Sequence, residues 1–120
     1  MLQSVTDFLE VPVLTEHVYL SNFQDTIDEL GMGDHVTGIS GQEVTSFTHG
    51  HFNAFPLLLD PEKPNLGGVL PYDKGAVDLF EAIREQYPGD EIIQVNHPRG
   101  STISGYFSYV GLDAAASRPT

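Results

Sequence analysis

Short apolar runs alternate with amphipathic segments along this chain, and this order constrains the fold more than any other feature. Residues 75–87 predict a helix, since Val77, Phe80 and Ile83 fall on one stripe. A shorter helix is indicated for residues 23–30. Four apolar runs indicate strands at residues 11–14, 36–39, 51–59 and 92–95. The resulting order is strand, helix, strand pair, helix, strand, which favours an α/β fold with largely parallel strands.

The length of 120 residues limits the chain to one domain. In sheets of this kind ligands collect beyond the carboxyl ends of the strands, where His17 and His97 would lie. Seventeen acidic residues against five basic ones give a net charge of -12, which would repel nucleic acid and anionic membrane surfaces. We therefore expect neither partner. The chain contains no recognisable signal peptide or membrane span, and its compartment is left open.

Histidine and carboxylate residues follow several of the predicted strands. The chain has no cysteine, so a metal ion would have to be held by nitrogen and oxygen atoms. Neutral imidazole and carboxylate both suit zinc, manganese or iron. The pattern therefore predicts a divalent metal site and favours metal-assisted hydrolysis. His35 and His49 are read instead as hydrogen-bonded loop residues.

Four short motifs occur in an order that resembles one known group of enzymes: Thr15-Glu16-His17, Gly41-Gln42-Glu43-Val44-Thr45, Gly50-His51-Phe52-Asn53-Ala54-Phe55-Pro56 and Asn96-His97-Pro98-Arg99. The chain is similar to the polymerase and histidinol phosphatase (PHP) superfamily, in particular its carbaryl-hydrolase-like (CehA/McbA-type) branch. The resemblance implies a distorted (β/α)7 barrel, of which this chain would form a part. It also implies two or three zinc, manganese or iron ions in a complete domain, and a small-molecule ester or phosphoester as substrate.

Carried over residue by residue, the resemblance makes His17, His51 and His97 metal ligands and Glu43 the carboxylate that bridges the ions. Glu16 stands where the family usually has aspartate and is a further candidate ligand. Its oxygen would lie one methylene further out. In the implied reaction the metals lower the pKa of a bound water so that hydroxide attacks the ester.

The resemblance also assigns the substrate contacts. Glu43 and Arg99 are the candidate catalytic residues, with the Arg99 guanidinium placed to contact an anionic group of the substrate. Asn53, two residues after His51 on a strand, would face the same side and could orient a ligand or the substrate.

Two of the family's ligand motifs are missing from this chain. The family's opening His-x-His pair and its closing Asp-x-His ligands are not found here, so we expect residues 1–120 to be a single, incomplete PHP-like domain that lacks a complete active site. Its open strand edges would favour self-association into a homo-oligomer.

Two further interpretations stay open. The chain could instead be a non-catalytic scaffold or binding module that has lost its metal site. Alternatively, His17, Glu43, His51 and His97 could close a structural zinc site.

Overall fold

The computed structural model describes Gln3 and residues 6–86, 90–99 and 105–112. Within this part of the chain the elements follow in the order β1 (Val13–His17), α1 (Gln24–Glu29), β2 (Ile39–Thr45), β3 (His51–Phe55), α2 (Ala76–Gln86), β4 (Ile92–Asn96) and α3 (Tyr106–Tyr109). A 3-10 turn, Pro64–Gly67, lies between β3 and α2.

The four strands form one mixed sheet in the order β1-β2-β3-β4. β1 and β2 are parallel, whereas β2–β3 and β3–β4 are antiparallel. The expectation of a partial (β/α)7 barrel with largely parallel strands is therefore wrong. The chain is a small mixed α/β domain, with three α-helices among the residues described.

The connection between β2 and β3 explains the error. Only residues 46–50 link the two strands, whereas a parallel pair needs a crossover of about a dozen residues or more. The link is a tight turn in which the Ser46 hydroxyl accepts hydrogen bonds from the backbone N–H groups of Thr48 and His49, both at 3.0 Å. Gly50 closes the turn with a φ of +102°, a value that favours glycine. The two strands must therefore run antiparallel.

One face of the sheet carries the hydrophobic core. Side chains alternate along each strand, so Val44, Phe52 and Ala54 point to the same side and are fully buried there. Leu79 and Ile83 of α2 pack into the same cluster. The rest of this cluster comes from connecting segments, namely Leu20, Leu57 and Val69. The opposite face carries the polar residues of the site.

The boundaries of the elements differ from the predictions in detail. The strand predicted at residues 36–39 begins later and reaches Thr45, so Glu43 lies inside β2 and not after it. The predicted strand 51–59 ends at Phe55. Helix α2 covers the predicted segment up to Gln86, while Tyr87 lies outside the described residues. Val77, expected on the core stripe, is 69% exposed because Leu79 and Ile83 define the buried side.

No helix among the described residues combines the length and apolar character needed to cross a lipid bilayer.

Candidate metal centre

Strand register gathers the polar residues of the site at one end of the sheet. His17 pairs with Glu43 across β1 and β2, and Thr45 pairs with His51 across β2 and β3. His51 in turn pairs with Asn96 on β4. Because β1, β2 and β4 run in the same direction, their carboxyl ends meet at this end of the sheet. His97 lies directly after β4, as predicted, whereas His17 is the last residue of β1 and not beyond it.

Glu43, His51 and His97 form the closest group of candidate ligands. One ligand atom from each lies within 4.8 Å of the other two, close enough to hold a metal ion. The shortest separation is 3.2 Å, between His51 Nδ1 and Glu43 Oε1. The Glu43 and His51 side chains are 17% and 21% exposed, so water reaches both only in part. We call these three residues the three-residue cluster.

His97 reaches the cluster from a turn with unusual backbone geometry. It follows the last residue of β4 and has a φ of +28°, which is uncommon for a residue with a side chain. Its imidazole lies edge-on to that of His51, with 4.8 Å between ring centroids. A strained backbone of this kind is often found where a side chain must be aimed at a site.

Gly50 allows α3 to pack closely against the start of β3, next to His51. A Cβ atom placed on Gly50 would lie 3.1 Å from Tyr106 Cβ and 3.2 Å from the Tyr106 backbone nitrogen. A side chain at this position would push α3 away from the start of β3. The absence of a side chain at Gly50 therefore supports the packing immediately next to His51.

His17 lies at the edge of the three-residue cluster. Its Nε2 atom is 3.8 Å from Glu43 Oε2, the carboxylate oxygen that does not face His51. Its Nδ1 atom lies 2.6 Å from the Thr45 hydroxyl oxygen. The His17 side chain is 63% exposed, at the end of an edge strand. Glu43 thus has one histidine near each of its two oxygens.

The electrostatics of the site favour a neutral His51. Partial burial is the main cause that lowers the pKa of His51 below its ordinary value of 6.5, and the neighbouring His97 and His17 lower it further. The Glu43 carboxylate, through its charge and hydrogen bond, opposes this shift without cancelling it. Neutral imidazole is the form that binds a metal ion.

Of the other predicted site residues, Glu16 is directed away from the three-residue cluster, and the Arg99 guanidinium packs over an aromatic ring. Glu16 pairs with Gln42, whose side chain is buried on the core face, so alternation directs Glu16 away from Glu43. The Arg99 guanidinium lies over the Phe107 ring, 5.6 Å from its centroid.

The two histidines predicted to be loop residues differ from each other. His35 lies in the loop after α1 and is exposed. His49 lies in the β2–β3 turn, is only 2% exposed, and donates or accepts a hydrogen bond at 2.9 Å with the Thr48 hydroxyl. Burial lowers the pKa of His49. Its ring packs against Phe52 and Tyr109.

The sequence predicted Asn53 on the same side as His51, but it indicated neither the Asn53–Asn96 hydrogen bond nor the His17–Thr45 contact. The shared side is confirmed, because Asn53 pairs with Glu43 and its side-chain oxygen accepts a hydrogen bond from Asn96 Nδ2 at 2.9 Å. The contact of Thr45 with His17 was not foreseen. A β2 strand extended to Thr45 would have revealed it, since residues 43 and 45 then share a face.

No protein-family model, curated protein or solved structure matches this chain. The comparisons therefore do not identify it as a PHP superfamily member, and the candidate metal centre stands on its own geometry.

Proposed function

We propose that this chain is a metal-dependent hydrolase of small esters or phosphoesters, with its metal centre at the three-residue cluster. The observation that carries the proposal is that one carboxylate and two imidazoles lie within 4.8 Å of one another. They come from β2, from β3 and from the residue after β4. The order of the four sequence motifs adds support through the resemblance to the PHP superfamily, although the mixed four-stranded sheet is not that superfamily's barrel.

The geometry of the donor atoms supports a metal ion such as zinc. Zinc binds imidazole nitrogen and carboxylate oxygen at about 2.0–2.2 Å, so two ligands of a tetrahedral ion lie about 3.4 Å apart. The separation of 3.2 Å between His51 Nδ1 and Glu43 Oε1 is close to that value. A separation to His97 at the upper limit of 4.8 Å would require its imidazole to move inward by about 1.4 Å. His97 is exposed and follows its strand, so this movement disturbs little of the core.

The charge state of the cluster also favours metal binding. Protons and metal ions compete for imidazole nitrogen, and a lowered pKa at His51 reduces that competition near neutral pH. Glu43 contributes the negative charge that the two neutral imidazoles lack. Because the whole chain has only five lysine and arginine residues, the Glu43 carboxylate has few alternative ion-pair partners.

The second oxygen of Glu43 supports a second ion. Glu43 Oε1 faces His51, whereas Oε2 lies 3.8 Å from His17 Nε2. A carboxylate with a histidine near each oxygen can bridge two ions, with His17 as a ligand of the second. Glu16, whose side chain is directed away, is not part of this proposal.

A bound divalent ion would lower the pKa of a water molecule at the site and withdraw charge from the leaving oxygen of the ester. The protein residues then hold and orient the reactants. Asn53 and Asn96 lie beside the cluster, and Asn53 accepts the hydrogen bond between them through its side-chain oxygen. The amide N–H groups of Asn53 could therefore donate to a substrate oxygen. Arg99, two residues after His97, would contact an anionic group if its side chain swings away from Phe107.

A structural zinc site is the second candidate, because His17 Nε2 lies 3.8 Å from Glu43 Oε2. The His17 ring would have to move towards the three-residue cluster to become a fourth ligand of the same ion, since its centroid is 6.5 Å from that of His51. Four protein ligands would leave no position for water and no hydrolysis. This candidate predicts that the chain unfolds when the metal is removed. The hydrolase predicts a folded chain without metal, since the core cluster lies on the other face of the sheet.

The test is hydrolysis of p-nitrophenyl phosphate and of a p-nitrophenyl ester by the purified chain with added manganese or zinc. Glu43→Gln keeps the shape of the side chain and removes its charge, so it should abolish turnover. Glu29→Gln, on the exposed side of α1, is the matched control and should retain it. Equal turnover in both variants, or turnover that persists with a chelator, would show that hydrolysis does not come from this site.

A further inference from the structure

We propose that Thr45 is a positioning residue for His17, and that its hydroxyl directs His17 Nε2 towards a second metal ion shared with Glu43. This inference rests on the proposed function. The observation behind it is that the two nitrogens of one imidazole have different neighbours: Nδ1 lies 2.6 Å from Thr45 Oγ1, and Nε2 lies 3.8 Å from Glu43 Oε2.

The chemistry of imidazole makes this arrangement selective. A neutral imidazole carries one proton, so a histidine that binds metal through Nε2 must carry its proton on Nδ1. That N–H needs an acceptor, and the partner of the second nitrogen commonly fixes the orientation of a metal-binding histidine. A threonine hydroxyl oxygen has lone pairs that can accept the N–H of His17.

The position of Thr45 suits this role. Thr45 lies two residues beyond Glu43 on β2, so both side chains point to the same face of the sheet. Its β-branched side chain has a restricted χ1 angle, which keeps the hydroxyl in place. His17, by contrast, is 63% exposed at the end of an edge strand, so packing restrains its ring only weakly. The contact with Thr45 therefore contributes much of the orientation of His17.

Metal binding should change the direction of this hydrogen bond. Without an ion, the negative charge on Glu43 favours a proton on His17 Nε2, and the Thr45 hydroxyl then donates to Nδ1. With an ion held at Nε2, His17 would carry its single ring proton on Nδ1, and the Thr45 hydroxyl would accept that N–H. Because a hydroxyl can donate or accept, Thr45 serves both states. A change of His17 tautomer on loading is the specific signature of this role.

The experiment combines stepwise zinc binding by calorimetry with long-range ¹H–¹⁵N spectra of the histidine rings. Thr45→Val removes the hydroxyl and keeps the shape, and Thr45→Ser restores it. Thr15→Val is the matched control, because Thr15 lies on the same face of β1 and pairs with Gly41. Loss of an outer partner typically weakens metal binding 10–100-fold. We expect about 10-fold for the second ion in Thr45→Val, because water can partly replace the hydroxyl at an exposed ring.

The expected result is a weakened second ion in Thr45→Val, an unchanged first ion, recovery in Thr45→Ser and no change in Thr15→Val. Zinc should also move the His17 proton to Nδ1 in the wild type. The inference is overturned if Thr45→Val binds both ions like the wild type, if Thr15→Val weakens the second ion equally, or if the wild type binds one ion only. A wild type that binds no ion overturns the proposed function as well, so the two failures are distinguishable.

Discussion

Replacing the buried Gln42 tests how the strand that carries Glu43 is held in place. The Gln42 side chain is fully buried on the core face of β2. Its amide nitrogen donates to the carbonyl oxygens of Val18 and Val69, at 3.1 and 2.8 Å, and its oxygen accepts from the Val69 N–H at 2.8 Å. These bonds join the segment after β1 and the segment before α2 to the sheet.

The magnitude follows from the groups that lose their partners. Gln42→Leu keeps the side chain near its original volume but leaves the two backbone groups of the buried Val69, and the carbonyl of the half-buried Val18, without these bonds. A buried polar group without a partner costs about 1–3 kcal/mol. With a smaller cost at Val18, we expect a loss of about 3 kcal/mol in the free energy of unfolding.

Urea unfolding followed by circular dichroism measures this loss. With a typical slope of 1–3 kcal/mol per molar urea, the midpoint should fall by roughly 1–3 M. Gln94→Leu is the matched control, because Gln94 lies on β4 and is exposed. It should change stability by less than about 0.5 kcal/mol. If Gln42→Leu is as stable as Gln94→Leu, the buried amide does not hold these segments and the reasoning is refuted.

Two further predictions concern stability. The pKa values of His49 and His51 are lowered from 6.5 in the folded chain, so the unfolded chain binds protons more readily. The free energy of unfolding of the metal-free protein should therefore keep the full contribution of these two neutral histidines above about pH 6.5 and lose it as the pH falls further. Urea midpoints across this range check it, and stability that rises on acidification would contradict it. Phe52→Ala should cost about 3–5 kcal/mol, because the fully buried ring packs edge-on against Phe80 and Tyr106. A melting temperature close to that of the wild type would contradict the position of the core.

The sequence allowed the kind and order of the elements to be predicted better than their pairing. Apolar periodicity is a local property, so it indicated α2 and the approximate positions of all four strands. The direction of β3 depends on the short turn at residues 46–50, which was read as part of a parallel arrangement. The turn residue Gly50 and the brief spacing were the available signals for a hairpin.

The site was predictable where strand ends and residue chemistry agreed. Glu43, His51 and His97 were candidates from residue type and order, and the structure brings them together. The direction of Glu16 and the role of Thr45 both depend on register, since a shift of one residue moves a side chain to the other face. Register was not available before the ends of β1 and β2 were known.

Zinc titration by calorimetry tests most directly whether Glu43, His51 and His97 together bind one divalent ion. The comparison is between the wild type, His51→Ala, His97→Ala and the control His35→Ala, whose histidine is exposed in a loop outside the site. We predict that the wild type and His35→Ala bind the first ion equally, and that His51→Ala and His97→Ala each weaken it by more than about 100-fold, since removing a direct ligand should exceed the loss of an outer partner. First-ion binding that survives in His51→Ala or His97→Ala would contradict the account.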